Sequence, residues 1–207
     1  MIAQLLDRII AFAARDEAEL LRAREEWFER AGRVFDDDPL YEERTTAFLE
    51  WYALERPLPD GKLWAERFAA SEPIEDERER NWVRALGRTH RSLFQVREVR
   101  EGALLIDDLI AGGVFEVTER RRLPGLEQGE LFEARLVASP LAPLEVLFTR
   151  AFQFHPGEAR EELKRQAEKS RKAGEPRAEV LFRFLRQRLK AIRYQHVAAD
   201  KIYRDAE

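Results

Sequence analysis

The stretch SLFQVREVREGALLIDDLIAGGVFEVTERR, Ser92–Arg121, decides the fold. Phe94 and Val96 alternate with Gln95 and Arg97, which is the two-residue period of a strand with one buried face. Glu101-Gly102 reads as a turn, and Ala103 to Ile106 is the next apolar run. Val114 to Glu119 is rich in β-branched and aromatic residues, as strands are. Between these runs lie Asp107, Asp108 and the pair Gly112-Gly113. Adjacent residues on a strand point to opposite faces, so the two carboxylates do not converge on a metal or a proton. Asp followed by glycines is turn chemistry, and the stretch is read as a hairpin.

Downstream, Leu123 to Gly129 is a loop. Phe132, Ala134 and Leu136 then share one strand face, with Glu133 and Arg135 on the other. Val146, Phe148, Phe152 and Phe154 share a face of a last strand. Four or five short strands with turns between them predict a small antiparallel β-barrel or rolled sheet over residues 92–156. Such a sheet is too small to hide its own core, so helices are expected to cover it.

Residues 1–91 read as helices. Ile2, Leu5, Leu6, Ile9, Ile10 and Ala13 recur at helical spacing, and the pattern extends through Leu20, Trp27, Phe28 and Val34. Asp16 and Glu19 mark a capping-box-like start midway, so this is one long helix or two. Asp38 is expected as an N-cap, with Pro39 at the first helical position. In FLEWYALERPLPDGKLWAERF, Phe48–Phe68, the aromatics fall at helical spacing on either side of a proline turn and are assigned to the core. Trp51 and Tyr52 cannot share one narrow stripe, so one of them is expected at an interface. Ser71 to Pro73 is expected to begin a further helix that Gly87 stops. Residues 157–207 are helical again, with Gly174-Glu175-Pro176 parting two helices. The fold class is therefore α+β: an N-terminal helical part, a small antiparallel sheet, and a C-terminal helical pair packing back. The breaks are short, so the three segments are expected to form one unit.

Composition excludes several chemistries. There is no cysteine among the 207 residues, which rules out disulfides, thiolate nucleophiles and cysteine-bound zinc. Neither a secretory leader nor an apolar run of membrane-spanning length is read, so a soluble, cytoplasmic protein without a membrane role is expected. No phosphate loop, dinucleotide fingerprint or nucleophile elbow is present. His90, His155 and His196 fit no metal-ligand spacing. No catalytic residue, metal ligand or cofactor is therefore assigned. A metal-dependent hydrolase would need His90, His155 and Asp107 or Asp108 to meet at one point.

The formal net charge of −4 conceals an asymmetry. Residues 158–207 hold 14 Lys/Arg against 9 Asp/Glu, while the remainder holds 22 against 31. The last long helix carries Arg183, Arg186, Arg188, Lys190 and Arg193, and Arg120, Arg121 and Arg122 lie beside the sheet. These eight are the candidate contacts to a nucleic-acid backbone or another partner. The competing reading packs that helix against the acidic body, near Asp36-Asp37-Asp38 or Glu75–Glu79.

Two stretches carry a resemblance: Phe48–Phe68, and Ser92–Arg121 with LEQGELFEARLV, Leu126–Val137. Their proline turn, Asp-Leu-x-x-Gly hairpin and Gly-Glu-Leu strand start resemble a largely uncharacterised bacterial family that joins a helical segment to a small β-barrel. Some of its members carry a cysteine-rich SEC-C zinc motif, from which this cysteine-free chain departs. The resemblance implies the architecture and no catalytic residue. The expected function is a non-enzymatic binding or adaptor protein with a protein partner, and nucleic-acid binding is the alternative.

Overall fold

A computed structural model describes residues 2–74, 76–120 and 125–204. The N-terminal helices are α1 (Ile2–Ala13), α2 (Glu17–Ala31), α3 (Tyr41–Leu54), α4 (Trp64–Ser71) and α5 (Glu77–Leu86). Five strands follow: β1 (His90–Arg100), β2 (Ala103–Asp108), β3 (Val114–Thr118), β4 (Leu131–Ala138) and β5 (Val146–Phe154). A 3₁₀ turn at Gly157–Ala159 leads to α6 (Arg160–Ala173), α7 (Arg177–Arg193) and α8 (Ala199–Arg204). The chain is α+β, as its sequence reads.

Local chemistry sets these boundaries. Asp16 accepts the Glu19 N–H and starts α2, so the first apolar pattern is two helices. Only half of the capping box forms, because the Glu19 carboxylate turns instead to Arg22 and Arg56. Asp38 does not cap α3. Its carboxylate takes the Phe35 N–H and Arg193, and the helix begins three residues later. Ser71 ends α4 instead of opening a helix, and Asp76 caps α5 through the Arg78 N–H. Gly174 closes α6 with φ of 68°, a left-handed conformation that favours glycine.

The sheet is antiparallel, with strand order β3-β2-β1-β4-β5, and it is rolled but not closed. Phe94, Val96, Ile106, Val117, Phe132 and Phe148 fill its concave side. On the other face, Leu93 and Leu131 pack against α6–α8 through Leu163, Val180, Phe184 and Tyr203. Both faces of β4 are therefore covered.

Helix α3 is buried nearly all round. Trp51 is 2% exposed and Tyr52 0%, so neither reaches an interface with solvent. They meet different neighbours: Trp51 faces Trp27 and Phe182 of α7, while Tyr52 faces Trp64. Each buried ring contributes roughly 1.5–3 kcal/mol. Through Phe182 and Leu185, α7 enters the core cluster of the N-terminal helices.

Candidate functional site

The Glu133/Arg135 face of β4 meets α3 and α7 across a buried polar seam. Arg135 donates to Glu55 Oε2 at 2.6 Å and to Thr89 Oγ1 at 2.9 Å. Arg91 bridges Glu133 and Glu55 at 3.2 and 3.4 Å. Burial alone would raise the Glu55 carboxyl, but Arg91 and Arg135 outweigh it and hold it below the usual range. Arg188 of α7 is 5% exposed and joins Gln153 Oε1 at 3.0 Å, Glu43 Oε2 at 2.7 Å and the Phe154 carbonyl.

Glu50 of α3 serves β5 directly. β5 carries extra residues between Phe148 and Phe152, where the ladder to β4 shifts register. The Glu50 carboxylate accepts the freed N–H groups of Arg150 and Ala151 at 3.0 and 3.1 Å, and the Thr149 hydroxyl at 2.8 Å. The cavity left among Glu50, Arg91, Glu133, Arg135 and Gln153 is about 20 Å³, room for one water and no substrate.

The histidines do not converge. Asp108 is buried in the β2–β3 turn, where it accepts the N–H groups of Ile110 and Ala111 at 2.9 and 2.8 Å. It also meets His90 Nε2 and Ser92 Oγ, each at 2.6 Å. Burial pushes the Asp108 carboxyl up, and these hydrogen bonds more than compensate, holding it below the usual aspartate range. Arg177 can only donate to His90 Nδ1, at 2.9 Å, so Nε2 carries the proton given to Asp108. Ser92 bonds the aspartate and not the imidazole. A serine nucleophile needs the histidine between the two, so this trio lacks the order of a hydrolytic triad. Asp107 faces away and pairs with Arg97, as strand alternation requires. His155 lies against the opposite face of the sheet, 2.8 Å from the Tyr203 hydroxyl and 3.3 Å from Glu133. Among the described residues no three His, Asp or Glu side chains form a metal-sized group.

The eight candidate cations part ways. Arg188 is spent inside the seam. Arg183 pairs with Glu175 and Arg193 with Asp38, the latter tying the basic helix to the acidic run near residues 36–38. Arg186 is exposed and donates to the Arg30 carbonyl; Lys190 is exposed one turn further on. Arg120 lies on a different side, by the β3–β5 region. Arg121 and Arg122 fall outside the described residues, as does Glu75.

Sequence reading missed a groove between α2 and α3. Its volume is about 250 Å³, and Leu20, Leu21, Phe28, Tyr41 and Leu49 line it. Its charged lining residues are Arg24 and Arg44, with no carboxylate among them. Burial pushes the Arg44 guanidinium down to about 9; its Nη2 bonds the Leu185 and Ala31 carbonyls, while Nε and Nη1 have no partner. Arg24 stacks over Phe28 at 5.2 Å. Leu21 is 60% exposed, and Phe35, next in sequence to the groove residue Val34, is 56% exposed. The signal was present: Leu20 and Leu21 cannot both face the core from one helix.

The architecture defines a class: helices enclosing a rolled five-stranded antiparallel sheet across a charged seam. Residues 10–187 match the family of unknown function DUF7986, and the chain belongs to that family. No curated protein and no solved structure matches it. No helix of the described residues is long and apolar enough to cross a membrane.

Proposed function

We propose that this is a non-enzymatic binding protein that docks an acidic, apolar-bearing peptide segment of a protein partner in the α2–α3 groove. One observation carries the reading: the groove is apolar, its charged lining is wholly cationic, and its mouth exposes Leu21. Large apolar side chains gathered on a surface groove mark docking sites, and anchor residues supply most of the affinity. An acidic segment would meet Arg24 at the rim, and Arg186 and Lys190 extend the positive surface along α7, which packs on α2. The resemblance in sequence and the cysteine-free composition favour a bacterial cytoplasmic setting. The spent state of His90, Asp108 and His155 favours binding over catalysis.

The test is a photo-crosslinking amino acid at Leu21, used in cells and read by mass spectrometry of the crosslinked peptide. The expected adduct maps to an acidic segment bearing Leu or Phe, and Arg24→Glu abolishes it. Adducts with nucleic acid, with a second copy of this chain, or none above a control on α6 would overturn the proposal. The nucleic-acid alternative rests on Arg186 and Lys190. It predicts oligonucleotide binding that weakens with salt, with a shallower slope once both are neutralised.

A further inference from the structure

A second concavity, of about 500 Å³, opens between α1, α5 and the β3–β5 side of the sheet. That lies within the range of small-ligand sites. Ile2, Leu6, Leu147 and Phe148 give it an apolar lining, and Trp82 adds an aromatic one. Trp82 is only 4% exposed, yet its indole N–H has no acceptor. Nε of Arg150, another lining residue, is also buried without an acceptor, while its Nη1 is held by Asp7. Arg78 and Arg120 line the same space, both exposed, and neither pairs with a carboxylate among the described residues. Buried donors are ordinarily satisfied, so an unanswered indole N–H in a lining that also holds two uncommitted guanidinium groups calls for an acceptor that carries negative charge.

We propose that this concavity is a binding site for a small amphipathic carboxylic acid. Arg78, Arg120 and the Trp82 N–H would receive the carboxylate, and the apolar lining would hold the rest of the molecule. The charge balance selects the class. Among the described residues, Arg78 and Arg120 are the lining arginines not held by a carboxylate, Arg150 being paired with Asp7, and Glu119 and Glu145 line the same space, which suits a single carboxylate and disfavours a polyphosphate. The apolar lining disfavours a wholly polar acid, which would lose its hydration without return. The residues are separate from those of the α2–α3 groove, so this site stands or falls by itself.

The probes are decanoate and 2-naphthoate, each against its alcohol, decanol and 2-naphthalenemethanol, with inorganic phosphate as a polar anion. The readout is the Trp82 indole resonance in ¹H–¹⁵N spectra of the whole chain, assigned by its loss in Trp82→Phe. At least one acid is expected to shift that resonance downfield and saturably, and to bind roughly ten- to a hundredfold more tightly than its alcohol, as loss of a charge-assisted hydrogen bond implies. Arg78→Ala with Arg120→Ala should weaken the acid by a similar factor and leave the alcohol unchanged. Both positions are exposed, so an unaltered thermal midpoint can show that the variant is folded. Both acids failing to move Trp82 at millimolar concentration would overturn the site. So would acid and alcohol binding alike, phosphate binding as tightly as the acids, or the double variant retaining full affinity.

Discussion

Replacing Glu50 by alanine tests the seam where it does most for the sheet. The Glu50 side chain is 1% exposed and receives three hydrogen bonds, two of them from backbone N–H groups at the β5 irregularity. In Glu50→Ala those two N–H groups lose their partner. The Thr149 hydroxyl can turn to the Arg135 carbonyl, 3.4 Å away, and Arg135 keeps Glu55. The loss therefore resides mainly in the two N–H groups. At about 1.5–3 kcal/mol for each hydrogen bond to a charged group, Glu50→Ala should cost about 3–6 kcal/mol. That is a large share of the roughly 5–15 kcal/mol that holds a domain folded. Glu50→Gln keeps a carbonyl oxygen for both N–H groups and an amide that Thr149 can accept, so about 1–2 kcal/mol is expected. Urea unfolding followed by tryptophan fluorescence and circular dichroism measures both. One transition is expected by either probe, because Phe182 and Leu185 of α7 share a core with Trp27 and Trp51. A loss below about 1 kcal/mol in Glu50→Ala, or Gln costing as much as Ala, would refute the reasoning.

Two further outcomes follow from other parts of the molecule. His155 is fully buried near Arg44 and Arg188, and burial holds its pKa below 6.5 despite Glu133. The unfolded chain takes up a proton below about 6.5 that the folded chain refuses, so stability is level above that pH and falls as pH drops through it. Urea midpoints at pH 7.5, 6.5 and 5.5 should decline in the wild type, and His155→Asn should flatten the decline; an equal decline in both would exclude His155 as its source. Leu144 has φ of 69° and is 98% exposed, a left-handed leucine that packs on nothing. Leu144→Gly should raise stability by ~0.5–1 kcal/mol, since relief of left-handed strain exceeds glycine's entropic cost; a lowered thermal midpoint would contradict this.

The strand pattern was legible because period two is local. Phe132, Ala134 and Leu136 announced one face of β4, and Asp-Leu-x-x-Gly announced the β2–β3 turn. What period two cannot tell is whether a polar face is wet. Glu133 and Arg135 look like surface residues until Arg91, Glu55 and α3 are placed over them, and those partners come from distant parts of the chain. The same limit hid the fate of Arg188. A helical arginine reads as an exposed charge, and only the docking of α7 on β5 turns it inward. Asp38 misled for a related reason: its capping chemistry is real, but Arg193 and the Phe35 N–H claim the carboxylate first. The α2–α3 groove depends on how two helices lie side by side; the adjacency of Leu20 and Leu21 shows only that one of them must face outward.

The contact of Arg188 with Glu43 and Gln153 joins α7, α3 and β5 at one point. A docking of α7 displaced by one turn, about 5.4 Å, would bring Phe184 or Ile192 to Glu43 and leave the arginine stranded. Such misplacements are repelled at close range, whereas a greasy interface would have tolerated them as sticky near-misses. The seam thus distinguishes one seating of α7 from its neighbours by the cost of leaving a buried charge unpaired.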